Sequence, residues 1–525
     1  MCILGCHSPT LNMEIPLLQM QPDTTDNHRQ ITTTRRMPWK WLLAATLLTT
    51  ALGGGAAPWI DPGDEQLRHH LEVLADAGII TVPITTYPLM WSGIARDLER
   101  HSIQSLNDTQ LWSFDYVRHA LHRQRSQFVM DSRVGVSTDT PVAGGFAADQ
   151  RERREGRVVA NWLGDSLSVN LAATVASDEI DNRKYRLDGS YIAGIAGNWS
   201  LSAGAVNRWW GPGWQDSLIL SGNSRPIPGL ALQRNYSDAF QSPWLSWIGP
   251  WQLVAFAGQL ESDRFVPDAK LLGMRITFKP LSNLELGLSR TAQWGGEGRP
   301  QTFKAFWDAF TGKDNRGNSG ITQENEPGNQ LAGFDARLGF GLGSTQLALY
   351  SQAIGEDAAG ISPSRFLFQA GAEVAWTTSN WSNRLYIEGS DTRAAQGDYP
   401  NYAYEHAIYR SGYRYRGRSL AAGFDNDTLS VTVGGYHYMA AGHQWFWKLA
   451  KIELNRDNTN AAPPGGNPLS DGEVDMVRAD LGYKRRLNRH VQLGLEAFYQ
   501  SEDIQWRNSG ETIGSGAELT IEHKW

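Results

Sequence analysis

The stretch "NRWWGPGWQDSLILSGNSRPIPG", Asn207 to Gly229, sets three indole rings among glycines and prolines, with Trp209 and Trp210 adjacent and Trp214 four residues on. Neither a helix nor a mid-strand suits that backbone. Two readings are open. The rings fill a buried corner stiffened by Pro212, Pro226 and Pro228, or they form a platform on which a flat ligand lies. A sugar offers a C–H face that stacks on an aromatic ring, while its hydroxyls or a uronate carboxylate want fixed donors. Arg208, Arg225 and Arg234 flank the tryptophans in that mixture. The same pair of readings applies to Trp294, Phe306 and Trp307, where "TFKAFWDAFTG" (Thr302 to Gly312) has the pattern of a small amphipathic helix within a long loop. These nine residues are the candidate polysaccharide contacts.

Catalysis has no comparable signature. HExxH, GxSxG and Cys/His clusters are absent beyond residue 57, so nothing supplies a nucleophile triad or a zinc site. "GKDNRGN" (Gly312 to Asn318) and "NRDNTN" (Asn455 to Asn460) hold oxygen ligands but resemble a calcium loop weakly and read as ordinary turns. No enzyme, cofactor or metal site is expected. A net charge of -7 argues against nucleic acid as a partner. Arginine outnumbers lysine several-fold, which favours structured, bidentate polar contacts over mere solubility.

The elements that must hold these residues follow from period. Arg35, Arg36 and Lys40, then "WLLAATLLTTAL" (Trp41 to Leu52), then "GGGAAPW", have the basic, apolar, small order of a secretory signal, with cleavage near Ala57 and a true start nearer Met37. Both cysteines, Cys2 and Cys6, precede that site, so disulfides and thiolate chemistry are not expected. Three amphipathic helices follow. The first runs from an Asp61 cap to a Gly78 terminator, the second spans Pro88 to Arg100 and the third Asp108 to Gln127. Their apolar stripes need a further surface, and the basic face of the third (Arg118, His122, Arg123, Arg125) is expected to meet carboxylates in a barrel lumen. Adjacent His69 and His70 point to different faces and read as solvated or capping residues.

From about Arg157 the period becomes two and remains so. "LELGLSR" (Leu284 to Arg290), "LSVTVGG" (Leu429 to Gly435), "VQLGLEAFYQ" (Val491 to Gln500) and "GAELTIEHKW" (Gly516 to Trp525) each pair an apolar face with a polar one. A soluble sandwich of that length would need continuous apolar strands and would split into domains. A closed transmembrane antiparallel β-barrel, apolar to lipid and polar to a wet lumen, explains the pattern without such strands. Spacing gives about eighteen strands. Parity is lost between Asp391 and Asp427, and the long segments Trp209 to Gly229, Trp294 to Gln330 and Asn455 to Glu473 are expected to face outside. The domain reading is residues 1–57 leader, 58–155 helical bundle or plug, and 156–525 barrel, in a bacterial outer membrane.

"PGDEQLRHHLEVLADAGII", "YRLDGSYIAGIAGNWSLSAGAVNRWWGPGWQDSLILSGNSRPIPGL", "PWLSWIGPWQLVAFAGQLESDR", "TAQWGGEGRP" and "NEPGNQLAGFDARL" resemble the Wzi-type capsule assembly proteins from about Pro58 to Trp525. The resemblance implies an eighteen-stranded outer-membrane barrel, closed from the periplasm by a helical bundle, acting as a lectin that retains capsular or exopolysaccharide. Sugar-contacting residues do not transfer by motif. A diffusion porin and, after it, an outer-membrane hydrolase are the alternatives. The expected partners are polysaccharide and outer-membrane lipid, with a monomeric protein and no assignment of export machinery.

Overall fold

A computed structural model describes residues 58–525 apart from 148–149, 178–180, 311–327, 360–361, 395–402, 459–466 and 508–509. The leader and the loop at 312–318 therefore lie outside the described residues, as does the end of "NRDNTN".

Helix α1 (Glu65–Asp76) starts at Asp64, whose carboxylate accepts the Leu67 amide at 2.8 Å, and not at Asp61 as expected. It stops at Gly78, whose φ of +72° is the left-handed turn a glycine supplies at a helix end. Helix α2 (Trp91–Arg100) follows, and α3 (Asp108–Gln124) opens with a capping box between Asn107 and Gln110. Leu67, Leu71 and Leu74, Trp91, Ile94 and Leu98, and Phe114, Val117 and Leu121 meet in one buried cluster. The three predicted stripes are thus satisfied against each other, and Trp209 joins them from far along the chain.

From Phe128 the chain is an antiparallel meander. Its first strands are β1 (Phe128–Ser137), β2 (Arg154–Leu163), β3 (Leu167–Ser177), β4 (Tyr191–Ala196), β5 (Trp199–Ala205), β6 (Pro228–Arg234), β7 (Trp251–Gln259), β8 (Lys270–Leu281) and β9 (Leu284–Trp294). The others are β10 (Gly328–Leu342), β11 (Thr345–Ala359), β12 (Ser362–Thr378), β13 (Trp381–Asp391), β14 (Thr428–Met439), β15 (His443–Leu454), β16 (Val474–Arg486), β17 (Val491–Gln500) and β18 (Gly516–Lys524). β18 closes on β1 from Glu518↔Ser137 to Lys524↔Asp131. A two-residue piece, Tyr185–Arg186, rides beside β3. Inward and outward side chains alternate: on β9, Glu285, Ser289, Thr291 and Gln293 are buried in the lumen while Leu288 is exposed on the outer wall. No helix among the described residues is long and apolar enough to cross a membrane.

The barrel begins at Phe128, ahead of the boundary expected at residue 156. β1 follows α3 with only three residues between them, so nothing in composition separates it from the helical run. The chain between Asp391 and Asp427, where parity fails, holds no crossing strand among its described residues. It contains a small hairpin, Arg414–Tyr415 with Arg418–Ser419.

Tight turns, such as those between β8 and β9 and between β10 and β11, mark the periplasmic end, since bacterial barrels turn tightly there and carry long loops outside. The helices sit at that end. Asn107 Nδ2 donates to the Gly343 carbonyl at 3.0 Å, and Thr109 Oγ1 to that of Ser344 at 2.9 Å. The basic face of α3 does little of the docking. Arg123 reaches Asp131 on β1, but Arg118 pairs with Asp115 of its own helix and Arg125 with Glu99 of α2. Helix α1 carries the connection instead. Its Asp76 meets Arg337 of β10, and its Glu72 meets Arg384 of β13 at 2.8 Å. His69 and His70 are wholly buried, contrary to the expected solvated or capping roles. Arg384 Nε donates to His69 Nδ1 at 3.0 Å, which leaves the ring proton on Nε2 to donate to Ser382 Oγ at 2.8 Å.

Candidate functional site

The chain leaves β5 at the outer end, and the loop at 206–227 turns down into the lumen. Trp209 and Trp210 pair in a two-residue ladder with Tyr87 and Thr86 from the helical region. Trp209 stands edge-on to Phe146 at 5.4 Å, and Trp210 edge-on to Phe256 of β7 at 5.6 Å. Trp214 lies between two guanidinium groups, Arg68 of α1 at 4.3 Å from its centroid and Arg384 at 4.9 Å. Its Nε1–H donates to Glu373 of β12 at 2.6 Å, and its amide donates to Glu388 of β13 at 2.7 Å. All three rings are buried, with their faces taken by protein. The corner reading therefore describes them, and the platform reading does not. The glycines fit the same account. A Cβ on Gly213 would collide with the Asp216 carbonyl and the Gln369 amide.

The flanking arginines divide differently. Arg208 is buried over the Phe256 ring at 4.2 Å, and its guanidinium donates to the Val206 carbonyl at 3.0 Å. Burial without a carboxylate pushes it down to about 10. Arg225 donates twice to Asp188, at 2.7 and 3.0 Å, and also to Asp181, so its fork is already filled. Arg234 ends β6 at the periplasmic end, stacked on Trp251 at 3.8 Å beside the Arg96–Asp238 pair. Sequence proximity to the tryptophans misplaces it, because β6 carries it from the outer rim to the opposite end.

The remaining candidates gather at the outer mouth. Trp294 ends β9 there and meets Phe306 edge-on at 5.8 Å. Phe306 belongs to helix α4 (Phe303–Phe310), whose Phe303 and Trp307 rings stack at 6.4 Å and are exposed. Beside them the loop between β7 and β8 presents Phe265, 56% exposed, with the Arg410 guanidinium 4.7 Å over its ring. The Phe265 amide donates to Ser411 Oγ, Tyr409 Oη donates to the Gly295 carbonyl, and the Glu297 amide donates to that of Pro267. Three outer loops are thereby tied into one surface. Phe265 and Arg410 were missed from sequence. For Arg410 the signal was the run "YEHAIYRSGYRYRGRS", where tyrosine and arginine alternate inside the segment that fits no strand; nothing in the sequence around Phe265 marked it.

That run also locks the lumen from above. Tyr404 Oη donates to the Leu218 carbonyl at 3.0 Å, and Tyr413 Oη to that of Ile219 at 2.9 Å. Arg414 bridges Asp425 and Glu405. Burial pushes the Glu405 carboxyl up to about 7 against the pull of Arg414. Burial and the neighbouring Glu388 push Asp216, in the inward loop, up to about 6. The described residues contain no group of three His, Cys, Asp or Glu placed to hold a metal ion.

Residues 123–512 match the family model of the capsule assembly protein Wzi. A Klebsiella pneumoniae protein described as an uncharacterized 55.8 kDa protein in the cps region is 38% identical over 361 residues, 67% of this chain and 69% of that one. A solved Escherichia coli structure, described as Wzi, an outer membrane protein involved in group 1 capsule assembly and a carbohydrate-binding β-barrel, superposes with a TM-score of 0.76. It is 28% identical and covers 90% of this chain and 99% of its own.

Proposed function

The chain belongs to the family of the capsule assembly protein Wzi, and on that premise we propose that it binds and retains capsular or exopolysaccharide at the cell surface, as an outer-membrane barrel without enzymatic activity. The observation that carries this reading is the outer surface of Trp294, Phe306, Trp307, Phe265 and Arg410, set over a lumen entered from below by α1 and from above by the inward loop. Exposed rings offer faces to sugar C–H patches, and a guanidinium offers a fork to hydroxyls or a uronate. The helical bundle serves as a plug, and the loops tied to Gly295 and Ser411 serve as the scaffold of the site. The working unit is one chain.

The test is surface plasmon resonance of the detergent-purified protein over immobilised capsular polysaccharide from the producing strain. Saturable binding that weakens in Trp307→Ala and Arg410→Ala supports the reading. Absence of binding by the folded wild-type barrel overturns it.

A further inference from the structure

We propose that the connection between β6 and β7, residues 235–250, is a membrane-anchored foot, which sets Trp244, Leu245 and Trp247 into the phospholipid interface of the periplasmic leaflet and from there holds helix α2.

This connection is the exception at its end of the barrel. Those from β2 to β3, β4 to β5, β8 to β9, β10 to β11, β12 to β13, β14 to β15 and β16 to β17 leave at most four residues between strands, whereas this one leaves sixteen. The surplus does not fold under the lumen. Register sets Trp251 of β7 opposite Phe278 of β8, on the face where the alternation of β8 also puts the exposed Met274, toward lipid. Phe240 stacks on Trp251 with ring centroids 4.8 Å apart, and Trp247 stands edge-on to Phe278 at 6.4 Å. The connection therefore lies against the outside of the wall. A Cβ on Gly249 would strike the Lys279 carbonyl, so the return to β7 passes close along the end of β8.

The composition of the segment suits that place. From Ala239 to Pro250 no residue is charged. Trp244 is 85% exposed, Trp247 62% and Leu245 41%, an apolar patch of the kind that marks a membrane contact. The backbone is prepared for lower polarity as well. The Leu245 and Ser246 amides donate to the Ser242 carbonyl, the Ile248 amide to that of Leu245 and the Gly249 amide to that of Ser246, while Pro243 and Pro250 bring no N–H. Indole, an apolar body with one polar N–H, is the side chain favoured at a membrane–water boundary. Phospholipid is the occupant because the patch continues the wall that lipid already covers. The uncharged segment offers no ion pair to a headgroup, so the contact should not depend on headgroup charge.

The start of the connection reaches the helices. Ser92 Oγ donates to Asn235 Oδ1 at 2.7 Å, Arg96 pairs with Asp238 at 2.6 Å, and the Arg96 guanidinium lies 5.0 Å over the Tyr236 ring. Ser92 and Arg96 stand one turn apart on α2, so the same connection that meets lipid grips that helix. The inference uses the outer-membrane placement of the barrel and does not rest on glycan binding.

The test uses the full protein in phosphatidylcholine nanodiscs, with Cys2 and Cys6 replaced by serine and a nitroxide attached to Trp244→Cys. Power-saturation spectra compare collisions with oxygen, which concentrates in lipid, and with a nickel chelate, which stays in water. The label should favour oxygen, as a label at Leu349→Cys on the outward face of β11 does, and unlike one at Arg118→Cys on α3. A water-like ratio at 244 overturns the proposal, as does dipolar broadening, which would put a second copy on the patch. A separate variant, Trp244→Ser/Trp247→Ser, tests the grip on the helix. Amides of α2 should exchange about tenfold faster in nanodiscs, while those of α1, held by Arg337 and Arg384, should not change. Wild-type exchange in α2 overturns the proposal. Heat-modifiable migration on gels verifies that each variant folds.

Discussion

Trp214 and Trp307 are the same side chain in opposite settings, one buried in the lumen and the other exposed at the outer mouth, where glycan contact is proposed for it. Trp214 holds the inward loop by one charge-assisted bond to Glu373 and two guanidinium contacts. Trp214→Phe keeps an aromatic face but loses the indole N–H and its bond, which should lower stability by about 1.5–3 kcal/mol, the range for hydrogen bonds to charged groups. Urea titration of the unboiled gel band measures that loss, and glycan affinity of the folded fraction should stay at the wild-type value. Trp307→Ala should give the reverse signature, unchanged stability and glycan binding weakened by about 1–3 kcal/mol, a figure compatible with a lost aromatic contact and its hydrogen bonds. Arg225→Ala belongs with Trp214. It takes the guanidinium from Asp188 and leaves Asp181 to the Arg186 guanidinium, and should loosen the loop without touching sugar. The sequence could not separate these roles, because burial and stacking call for the same ring. The apolar run Leu218, Ile219 and Leu220 directly after the tryptophans was the legible hint of burial, as all three sit in the core that Trp210 joins.

At the scale of elements, the two ends of the lumen should respond to pH with opposite sign. Asp216 and Glu405, in outer loops, have folded-state values raised to about 6 and about 7. The folded state therefore holds more protons than the unfolded one between their ordinary values of 3.8 and 4.5 and those raised values, and loop stability falls as pH rises through that window. His70 on α1 is pushed the other way, from 6.5 down to about 3, because burial and then Arg384 disfavour its charge. Its neutral form is fully compatible with the fold above 6.5, and stability is lost as pH falls from there toward about 3. Hydrogen exchange resolved by segment should show residues 206–227 better protected at about pH 5 than at about pH 8, and α1 less protected. Asp216→Asn should reduce the pH dependence of the first segment and leave α1 unchanged. If both segments shift in the same direction, the opposed charges do not govern these elements. Most elements were legible as period alone: Val491–Gln500 and Gly516–Lys524 are strands where alternation put them. β1 was hidden by its junction with α3, and the Asp391–Asp427 segment by a task that alternation does not encode, capping a loop from a distant part of the chain.

At the scale of the whole molecule, the proposed closure of the barrel has two candidate contributors, and the sequence displayed one. The amphipathic stripes announced a helical bundle at the periplasmic end. The second contributor, the loop at 206–227, is held from several directions: Gln352 Nε2 donates to the Trp210 carbonyl at 2.9 Å, Gln369 Nε2 to that of Asp216 at 2.8 Å, and the Asn223 amide group to that of Ser419 at 3.1 Å. Most of those partners lie on the barrel wall or in the outer loops, so the loop should stay in place when the helices are gone. Deleting residues 58–126, which spares β1, should therefore raise single-channel conductance in planar bilayers only part of the way toward an open barrel. Replacing residues 207–226 by a short Gly-Ser linker should likewise give a partial increase, since α1 still anchors to Arg337 and Arg384. The two changes together should produce porin-like conductance, because a barrel of this size encloses an aqueous channel once nothing fills it. A helix deletion that alone reaches the conductance of the double variant would show that the inward loop does not obstruct the lumen, and a double variant that stays closed would remove both elements from the account of closure.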